Sequence, residues 1–347
     1  MAETPDLNRR THDLLRLIDA HEPIGSIRLT DLMQRHGYQI EDRTIRLTLA
    51  DLDERGFTEK IPGLGRKLTA AGRTELDRGD VSGRLERIRE CIATLTSQVT
   101  YDPTEDTGTL VAGTVSIPNQ SLSAAFETLG RLEDSPLGPV PTAVLEEENE
   151  YASGARDGGD IVRLAFPSSI TLDGTLLSWG IDADLRTAGL VEYRGDGNEI
   201  VRYIDAINGE GSTMDVVTLL IEANRTDVET ALNGGAGVLI VDNREFPLTR
   251  YGEARDLAGR TASSLGGVVD VHRPREPGPF PLGNPGWEFA SLTYSGIAET
   301  ALALLCERSL ADSWETLAGV RPRSDFHPLT TAKATIEERG LVDNTDD

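Results

Sequence analysis

Apolar residues recur at helical spacing three times near the start of the chain. The pattern predicts a first helix over Asn8–Glu22, whose inner face carries large aliphatic side chains. It predicts a second helix over Asp31–His36 with Thr30 as its N-cap, and a third over Arg43–Arg55 with Asp42 as its N-cap. Because only a short glycine-containing turn separates the second helix from the third, the segment has the layout of a helix-turn-helix.

The third predicted helix has two faces of different chemistry. An aliphatic stripe of Ile45, Leu49 and Leu52 is expected to face the core. A recognition helix contacts base edges in the major groove through its N-terminal residues, where Arg pairs with guanine and apolar groups touch the thymine methyl. The side chains on the opposite face near the N-terminus are the predicted base-reading residues: Arg43, Thr44, Arg46 and Leu47.

A hairpin is predicted immediately after the third helix. Phe57–Leu68 has the pattern of two short strands around a Pro-Gly turn. This candidate wing contains Lys60 and Lys67, two of only three lysines in the chain, with Arg66 beside them. Basic side chains on a wing can contact phosphates, so these three are predicted to bind the DNA backbone. Three-helix units also serve as protein-interaction modules, but helix-turn-helix, wing and clustered bases together favour DNA binding.

Strands and helices alternate through the rest of the chain. A polar hinge is predicted at 77–83, followed by an amphipathic connecting helix from Leu85 to Val99. The alternation predicts an α/β or α+β effector domain, and a strand-helix-strand plan that occurs twice indicates an internal duplication. The predicted strands are Thr109–Ile117, Ile161–Phe166, Leu190–Tyr193, Ile200–Ile207, Gly237–Asp242 and Gly267–His272, and the predicted helices are Ser121–Leu132, Met214–Glu222, 250–264 and Ile297–Leu310.

These patterns divide the chain into three parts. Residues 1–80 are predicted to form a winged helix-turn-helix DNA-binding domain, and residues 81–330 a ligand-sensing and dimerisation domain. Residues 331–347 are polar and are predicted to form a mobile tail. Within the second domain, Glu146–Asp160 is an acidic loop, and Arg273–Gly286, which contains five prolines, must also be a loop.

Acidic residues outnumber basic residues along most of the chain. The chain has 58 Asp and Glu against 34 Lys and Arg, a formal net charge of −24, and 31 of the bases are Arg. A carboxylate-covered surface with few lysine stems stays hydrated in concentrated salt, which predicts a halophilic archaeal origin. Residues 1–80 carry a net charge of only −2, a relative excess of positive charge that suits a polyanionic partner. In molar salt counterion release drives little binding, so base contacts, apolar contacts and dimerisation must supply the affinity.

The sequence argues against several classes of protein. No run reaches the ~18 apolar residues that span a bilayer, and the acidic N-terminus does not resemble a signal peptide. A cytoplasmic protein without a membrane partner is therefore expected. Cys91 and Cys306 lie outside any ligand-spaced motif, so we expect no metal site and interpret both as small buried residues.

An enzyme is the minority interpretation. The glycine-rich stretch 234–237 precedes a predicted strand, whereas a phosphate-binding loop follows a strand and opens a helix, so a turn is expected there. The five histidines have no ligand spacing, and the sequence has no nucleophile-elbow motif. We therefore predict neither catalytic residues nor a cofactor. A metabolite-binding enzyme with an incidental winged helix stays open as an alternative.

Motifs along most of the chain resemble those of one family. Asp-Arg-Thr-Ile-Arg at 42–46 and Gly-Arg-Lys-Leu-Thr at 65–69 resemble the winged helix of the archaeal nitrogen-regulation repressors, the NrpR family. Pro-Ser-Ser-Ile-Thr-Leu-Asp-Gly at 167–174 and Arg-Glu-Phe-Pro at 244–247 resemble motifs of that family's effector domain. The resemblance extends from about residue 8 to residue 329, with a single effector domain.

The resemblance implies a role, an effector and a site. Members of this family repress nitrogen-assimilation genes as homodimers and release double-stranded DNA when 2-oxoglutarate rises, so the same behaviour is expected here. A dianionic keto acid needs hydrogen-bond donors and a cation, and Ser168, Ser169 and Arg244 lie in the matching motifs. A structural role is the alternative, since Ser often caps turns and Arg244 can pair with an acid. A ligand-insensitive adaptor also stays open, because Phe289–Thr293 replaces a Gly-Gly-Leu-Asn stretch of the family.

Overall fold

Two compact units make up the protein, Met1–Glu86 and Arg87–Asp347. The division lies close to the domain boundary predicted at residue 80. The computed structural model describes residues 9–35, 40–79, 81–145, 161–208 and 216–338.

The N-terminal unit is a group of helices followed by a hairpin. Its elements are α1 (Arg9–His21), α2 (Ser26–Arg35), α3 (Asp42–Glu54), β1 (Thr58–Ile61), β2 (Gly65–Leu68) and α4 (Ala70–Gly79). The predicted aliphatic stripe of α3 is fully buried in an apolar core shared with α1 and α2. Ile24 pairs with Arg66, so the segment before α2 extends the antiparallel hairpin by a short bridge. The predicted winged helix-turn-helix is confirmed.

The second helix begins earlier than the sequence pattern predicts. Thr30 lies inside α2, where its Oγ1 donates to the carbonyl oxygen of Ser26 at 2.8 Å, so its assignment as the N-cap is wrong. The reason is that Leu29 and Met33 form one buried face one turn apart, which draws the residues before Thr30 into the helix. The turn predicted at 37–38 lies outside the described residues.

The third helix begins without the predicted side-chain cap. Asp42 is its first helical residue, and the N-cap position belongs to Glu41, which makes no side-chain capping bond. The Asp42 carboxylate instead forms an ion pair with Arg46, one turn along the same helix. An acid in the first turn still favours this helix end, because its charge complements the helix dipole.

The C-terminal unit contains two antiparallel sheets with helices packed on them. The predicted hinge at 77–83 is wrong on both sides of residue 80, because α4 continues to Gly79 and α5 begins at Val81. The remaining elements are α5 (Val81–Gln98), β3 (Thr109–Pro118), α6 (Leu122–Glu133), β4 (Ala143–Leu145), β5 (Ile161–Pro167), α7 (Ile170–Ser178), β6 (Asp184–Arg194), β7 (Glu199–Asn208), α8 (Val216–Glu222), α9 (Val228–Leu232), β8 (Ala236–Pro247), α10 (Tyr251–Leu265), β9 (Val268–His272), β10 (Phe289–Ser295), α11 (Ile297–Glu307), β11 (Ser313–Glu315), β12 (Val320–Pro322) and α12 (Leu329–Glu338).

The strand order identifies the fold class. The first sheet has the order β11-β3-β5-β4, with β12 also paired to β3, and the second has the order β7-β6-β8-β10-β9. The described strand pairs are antiparallel. A doubly wound α/β fold would require parallel neighbours, so the α+β alternative of the two predicted classes is the correct one.

The predicted internal duplication is visible in the element order. The first copy runs β3, α6, β4, β5, α7, and the second runs β8, α10, β9, β10, α11. In both copies a proline, Pro118 or Pro247, ends the first strand and precedes a turn of 3-10 helix. In both sheets the third strand of the copy lies between the first two.

The predicted loop at 273–286 joins β9 to β10, and the loop predicted at 146–160 lies outside the described residues.

Helix α11 forms the centre of the C-terminal unit. Every residue from Ile297 to Leu305 is buried, because the helix packs against strands of both sheets and against α6, α8 and α9. A helix that is apolar on all sides is expected in such a position. Helix α7 is not among the predicted elements, because Ile170–Leu176 is short, is buried on all faces and shows no amphipathic period.

The predicted mobile tail is wrong for its first part. Residues 331–338 belong to α12, which contacts α6 and β4 and buries Leu329, Ala332 and Ile336. These residues lie at helical spacing, so one apolar face docks although the overall composition is polar. Residues 339–347 lie outside the described part of the chain.

The two cysteines differ in their exposure to solvent. Cys91 is exposed on α5 and Cys306 is partly buried on α11, so the prediction that both are buried is wrong for Cys91. The amphipathic pattern of α5 allows this, because Cys91 lies off the stripe that carries Leu95 and Val99.

Among the described residues, no helix has the length and apolar content needed to cross a bilayer.

Candidate functional site

The outward face of α3 carries most of the predicted base-reading residues. Arg43, Arg46 and Leu47 are exposed, and Leu47 shows 65% of its surface to solvent. Thr44 is only partly exposed, because its position borders the buried stripe. The Arg46 Nε also donates to the Ser26 Oγ at 3.4 Å, which places the start of α2 beside this face. The structure therefore brings the predicted reading residues onto one accessible surface.

The three basic residues of the wing have different surroundings. Lys60 is exposed on β1, and Lys67 on β2 forms an ion pair of 2.6 Å with Glu59 across the hairpin. Arg66 is partly buried, and its Nε donates to the Asp53 Oδ2 at 2.9 Å. This contact ties the wing to the end of α3, so Arg66 holds the geometry of the reader while Lys60 and Lys67 face solvent.

The three residues predicted to bind the effector meet in the buried interior of the C-terminal unit. Arg244 on β8 is completely buried, and its Nε and Nη2 each donate to the Asp173 carboxylate at 2.6 Å. It also donates to the carbonyl oxygens of Asp242 and Ser169, both at 3.2 Å, and its Nη2 lies 3.7 Å from the Asp242 Oδ2. A paired guanidinium-carboxylate contact of this kind is strong and directional.

Two more carboxylates complete this buried cluster. The Ser168 Oγ donates to the Glu299 Oε1 at 2.8 Å, and the backbone N–H of Ser169 donates to the same carboxylate at 3.1 Å. The Ser169 Oγ donates to the Asp242 Oδ2 at 2.5 Å rather than capping α7. Gly296 makes room for these contacts, because a Cβ there would lie 2.7 Å from the Ser169 nitrogen. Ser168, Ser169 and Arg244 therefore each hold a carboxylate of the chain itself.

The acidic members of the cluster were missed by the sequence analysis. Asp173 comes from the first copy of the duplication, and Asp242 and Glu299 come from the second. A signal for Glu299 was present, since it is an acid inside the apolar run that begins at Ile297. A charged residue within a helix buried on all sides needs an internal partner. Which partner it has depends on the meeting of the two copies.

Burial changes the protonation of this cluster. Desolvation raises the pKa of Asp242 to about 7, although the nearby Arg244 guanidinium opposes the shift. Desolvation also raises the pKa of Glu299, against the hydrogen bonds from Ser168 and Ser169. With one guanidinium facing three carboxylates, the cluster is most stable when it retains a proton.

We expect the C-terminal unit to become less stable as the pH rises from 5 to 8. In the folded chain Asp242 keeps its proton up to about pH 7, whereas in the unfolded chain it loses it near its ordinary pKa of 3.8. The folded state binds more protons across this range, so stability is lost as the pH rises through the folded pKa. Tryptophan fluorescence measures this, because all three tryptophans lie beyond residue 87. Asp242→Asn should flatten the pH dependence of the melting temperature, and an unchanged slope would contradict the assignment.

A second set of hydrogen-bonded polar side chains lies on one side of the second sheet. The Tyr203 hydroxyl is 2.7 Å from the Thr293 Oγ1, although β7 and β10 are not neighbours in the sheet. The Asn243 Nδ2 donates to the Ser291 Oγ at 2.8 Å on the same side. An open cleft of about 500 Å³ is lined by residues of β7, β9 and the following loop, including His272. The buried cluster around Arg244 does not line this cleft.

The described residues contain no group of His, Cys, Asp or Glu side chains that could hold a metal ion. The buried carboxylates are instead neutralised by Arg244, by the serine donors and by protons.

Together, a winged helix with an exposed reading face and an α+β domain with a buried polar cluster define the class of winged-helix transcription regulators.

Comparison with known families identifies the group within this class. The family model described as NrpR regulatory domains NRD1 and 2 matches residues 85–280, which is more than half of the chain. The chain therefore belongs to the NrpR regulatory-domain family. The model described as the ribonuclease R winged-helix domain matches residues 13–76, in agreement with the N-terminal unit.

Individual relatives support the same assignment. The global nitrogen regulator NrpRI of Methanosarcina mazei is 25% identical over 248 residues, covering 71% of this chain and 76% of the relative. The global nitrogen regulator NrpR of Methanocaldococcus jannaschii is 27% identical over 246 residues, covering 70% of this chain but only 42% of the relative. The crystal structure of a nitrogen repressor-like protein from Methanococcus jannaschii has a TM-score of 0.52 at 20% identity, over 69% of this chain and 96% of that one, which shows the shared fold.

Proposed function

We propose that this protein represses nitrogen-assimilation genes by binding double-stranded DNA as a homodimer, and that 2-oxoglutarate releases it. The observation that carries the proposal is the exposed face of α3, with Arg43 and Leu47 presented by a winged helix, in a chain of the nitrogen-regulator family. Lys60 and Lys67 on the wing supply contacts to phosphates. The protein acts in the cytoplasm, without catalysis, and its acidic surface suits a cell interior rich in salt.

The effector site in this proposal is the buried cluster of Ser168, Ser169 and Arg244. These donors already bind carboxylates in the resting structure, so their geometry suits the two carboxylates of a keto diacid. An entering dianion has to displace or neutralise Glu299 or Asp173, because one guanidinium cannot balance further negative charge in a buried space. Displacement would shift the two copies of the duplication against each other, which supplies the two states that effector control requires.

Binding to a labelled duplex from the protein's own upstream region tests the proposal. In 2 M KCl, anisotropy should report specific binding by the full chain that weakens as 2-oxoglutarate is added, while succinate at equal concentration has a smaller effect. Binding that is indifferent to the keto acid favours the ligand-insensitive adaptor. Consumption of the keto acid favours the enzyme, and absence of specific binding contradicts the whole proposal.

Glu299→Gln is expected to lower the 2-oxoglutarate concentration that releases DNA by about tenfold. The amide keeps an oxygen that can accept from Ser168 and Ser169 but cannot carry the negative charge that competes with the effector, and a tenfold change corresponds to about 1.4 kcal/mol. The matched control is Glu315→Gln, since Glu315 is exposed on β11. Equal midpoints for wild type and Glu299→Gln would remove the effector from this cluster while leaving DNA binding in place.

A further inference from the structure

Ile27 on α2 is an aliphatic residue that the reading residues predicted from the sequence do not include. It is 70% exposed, close to the 65% of Leu47 on α3. A single exposed aliphatic side chain is ordinary on a protein surface, so its exposure alone decides nothing. Its position beside the reading face is what gives it significance.

The contact between α2 and α3 places Ile27 next to that face. Ser26, the first residue of α2, accepts a hydrogen bond from the Arg46 Nε at 3.4 Å. Ile27 follows Ser26 directly, and Leu47 follows Arg46 directly. Two exposed aliphatic residues therefore each directly follow one partner of this hydrogen bond, which places both near the outward face of α3.

Two basic residues of the reading helix and the wing are already paired with acids of the chain. Arg46 pairs with Asp42 on its own helix, and Lys67 pairs with Glu59 on the wing. Each of these acids competes with DNA phosphates for its base. Salt weakens the phosphate contacts further, whereas apolar contacts are not screened and are strengthened by excluded salts. The reading face is therefore better equipped for apolar contacts than for phosphate contacts.

We propose that Ile27 is a second specificity-determining residue that, together with Leu47, contacts the 5-methyl groups of thymines in the major groove. Thymine is the only base that displays a methyl group there, so these contacts select T·A pairs at defined positions. The inference rests on the proposed DNA binding and adds the chemical feature by which part of the operator is recognised.

Replacing thymine by deoxyuridine in the duplex tests this inference. Deoxyuridine keeps the hydrogen-bonding groups of thymine and lacks only the methyl group. Using the full chain in 2 M KCl, we expect wild type to prefer the thymine duplex by about fourfold for each contacted methyl group. Ile27→Ala should lose part of this preference, and Ile27→Val should retain most of it. The matched control is Leu177→Ala, an exposed aliphatic position on α7 of the C-terminal unit.

The outcomes separate the inference from the proposed function. If wild type binds neither duplex, both are overturned. If wild type binds both duplexes equally, DNA binding stands and methyl recognition is overturned. If Ile27→Ala retains the full preference of wild type, Ile27 is not a reading residue. Alanine is a strong helix former and Ile27 is exposed, so circular dichroism should show an unchanged fold in the variant.

Discussion

Replacing Arg43 and Leu47 together by alanine is expected to weaken binding to specific DNA at least a hundredfold. A paired Arg contact to guanine contributes about 1–3 kcal/mol of discrimination, and an aliphatic contact to a thymine methyl adds to it. Both side chains lie on the exposed face of α3, away from the buried stripe, so the fold should survive their removal. The measurement is anisotropy of a labelled duplex in 2 M KCl.

Two controls make this result specific. Glu54→Ala changes an exposed residue at the other end of α3 and should leave binding unchanged. Lys60→Ala on the wing should weaken specific and unrelated duplexes alike, and less so as the salt concentration rises. If the Arg43 and Leu47 double variant binds as wild type does, the reading helix is wrongly assigned. A melting curve identical to that of wild type excludes unfolding as the cause of a loss.

Arg244→Met is expected to destabilise the C-terminal unit by about 3–5 kcal/mol, the usual effect of removing one partner from a buried ion pair. The substitution leaves Asp173, Asp242 and Glu299 buried without a cation. Protonation of these acids offsets part of the loss at low pH, so the destabilisation should grow as the pH rises. Urea unfolding followed by tryptophan fluorescence measures it, since the tryptophans report this unit alone.

A double variant distinguishes charge from packing in this cluster. Asp173→Asn combined with Arg244→Met removes the guanidinium and its principal carboxylate together. We expect it to recover a substantial part of the stability lost in Arg244→Met, because a buried pair costs least when neither partner is left alone. Arg244→Lys should fall between wild type and Arg244→Met, since lysine keeps the charge but not the paired geometry. Equal stability of wild type and Arg244→Met would contradict the role assigned to Arg244.

The sequence predicted the outward face of α3 more completely than the buried cluster around Arg244. The stripe of Ile45, Leu49 and Leu52 fixes which way α3 faces, so it also fixes that Arg43 and Leu47 face outward. Helical geometry links these positions within a few residues, and no distant contact is needed to infer them. The exception on the wing is Arg66, whose bond to Asp53 arises only when the hairpin packs on the end of α3.

The buried cluster around Arg244 could be predicted only in part. Ser168, Ser169 and Arg244 were found through family motifs, and the structure brings them together. Their partner Asp173 gave no local pattern, because α7 is buried on all faces and shows no amphipathic period. Glu299 is conspicuous as an acid in an apolar run, but its contacts with Ser168 and Ser169 arise only where the two copies of the duplication meet.

The sequence by itself determined the winged helix, the outward face of α3, the duplication and the acidic surface. Each of these follows from residue spacing within an element, from the order of elements along the chain or from composition, all of which the chain carries before it folds. Tertiary structure alone decided the antiparallel sheets, the docking of α12 and the carboxylates that surround Arg244. These depend on which elements meet, since desolvation and charge pairing act between residues that are close in space and far apart in sequence.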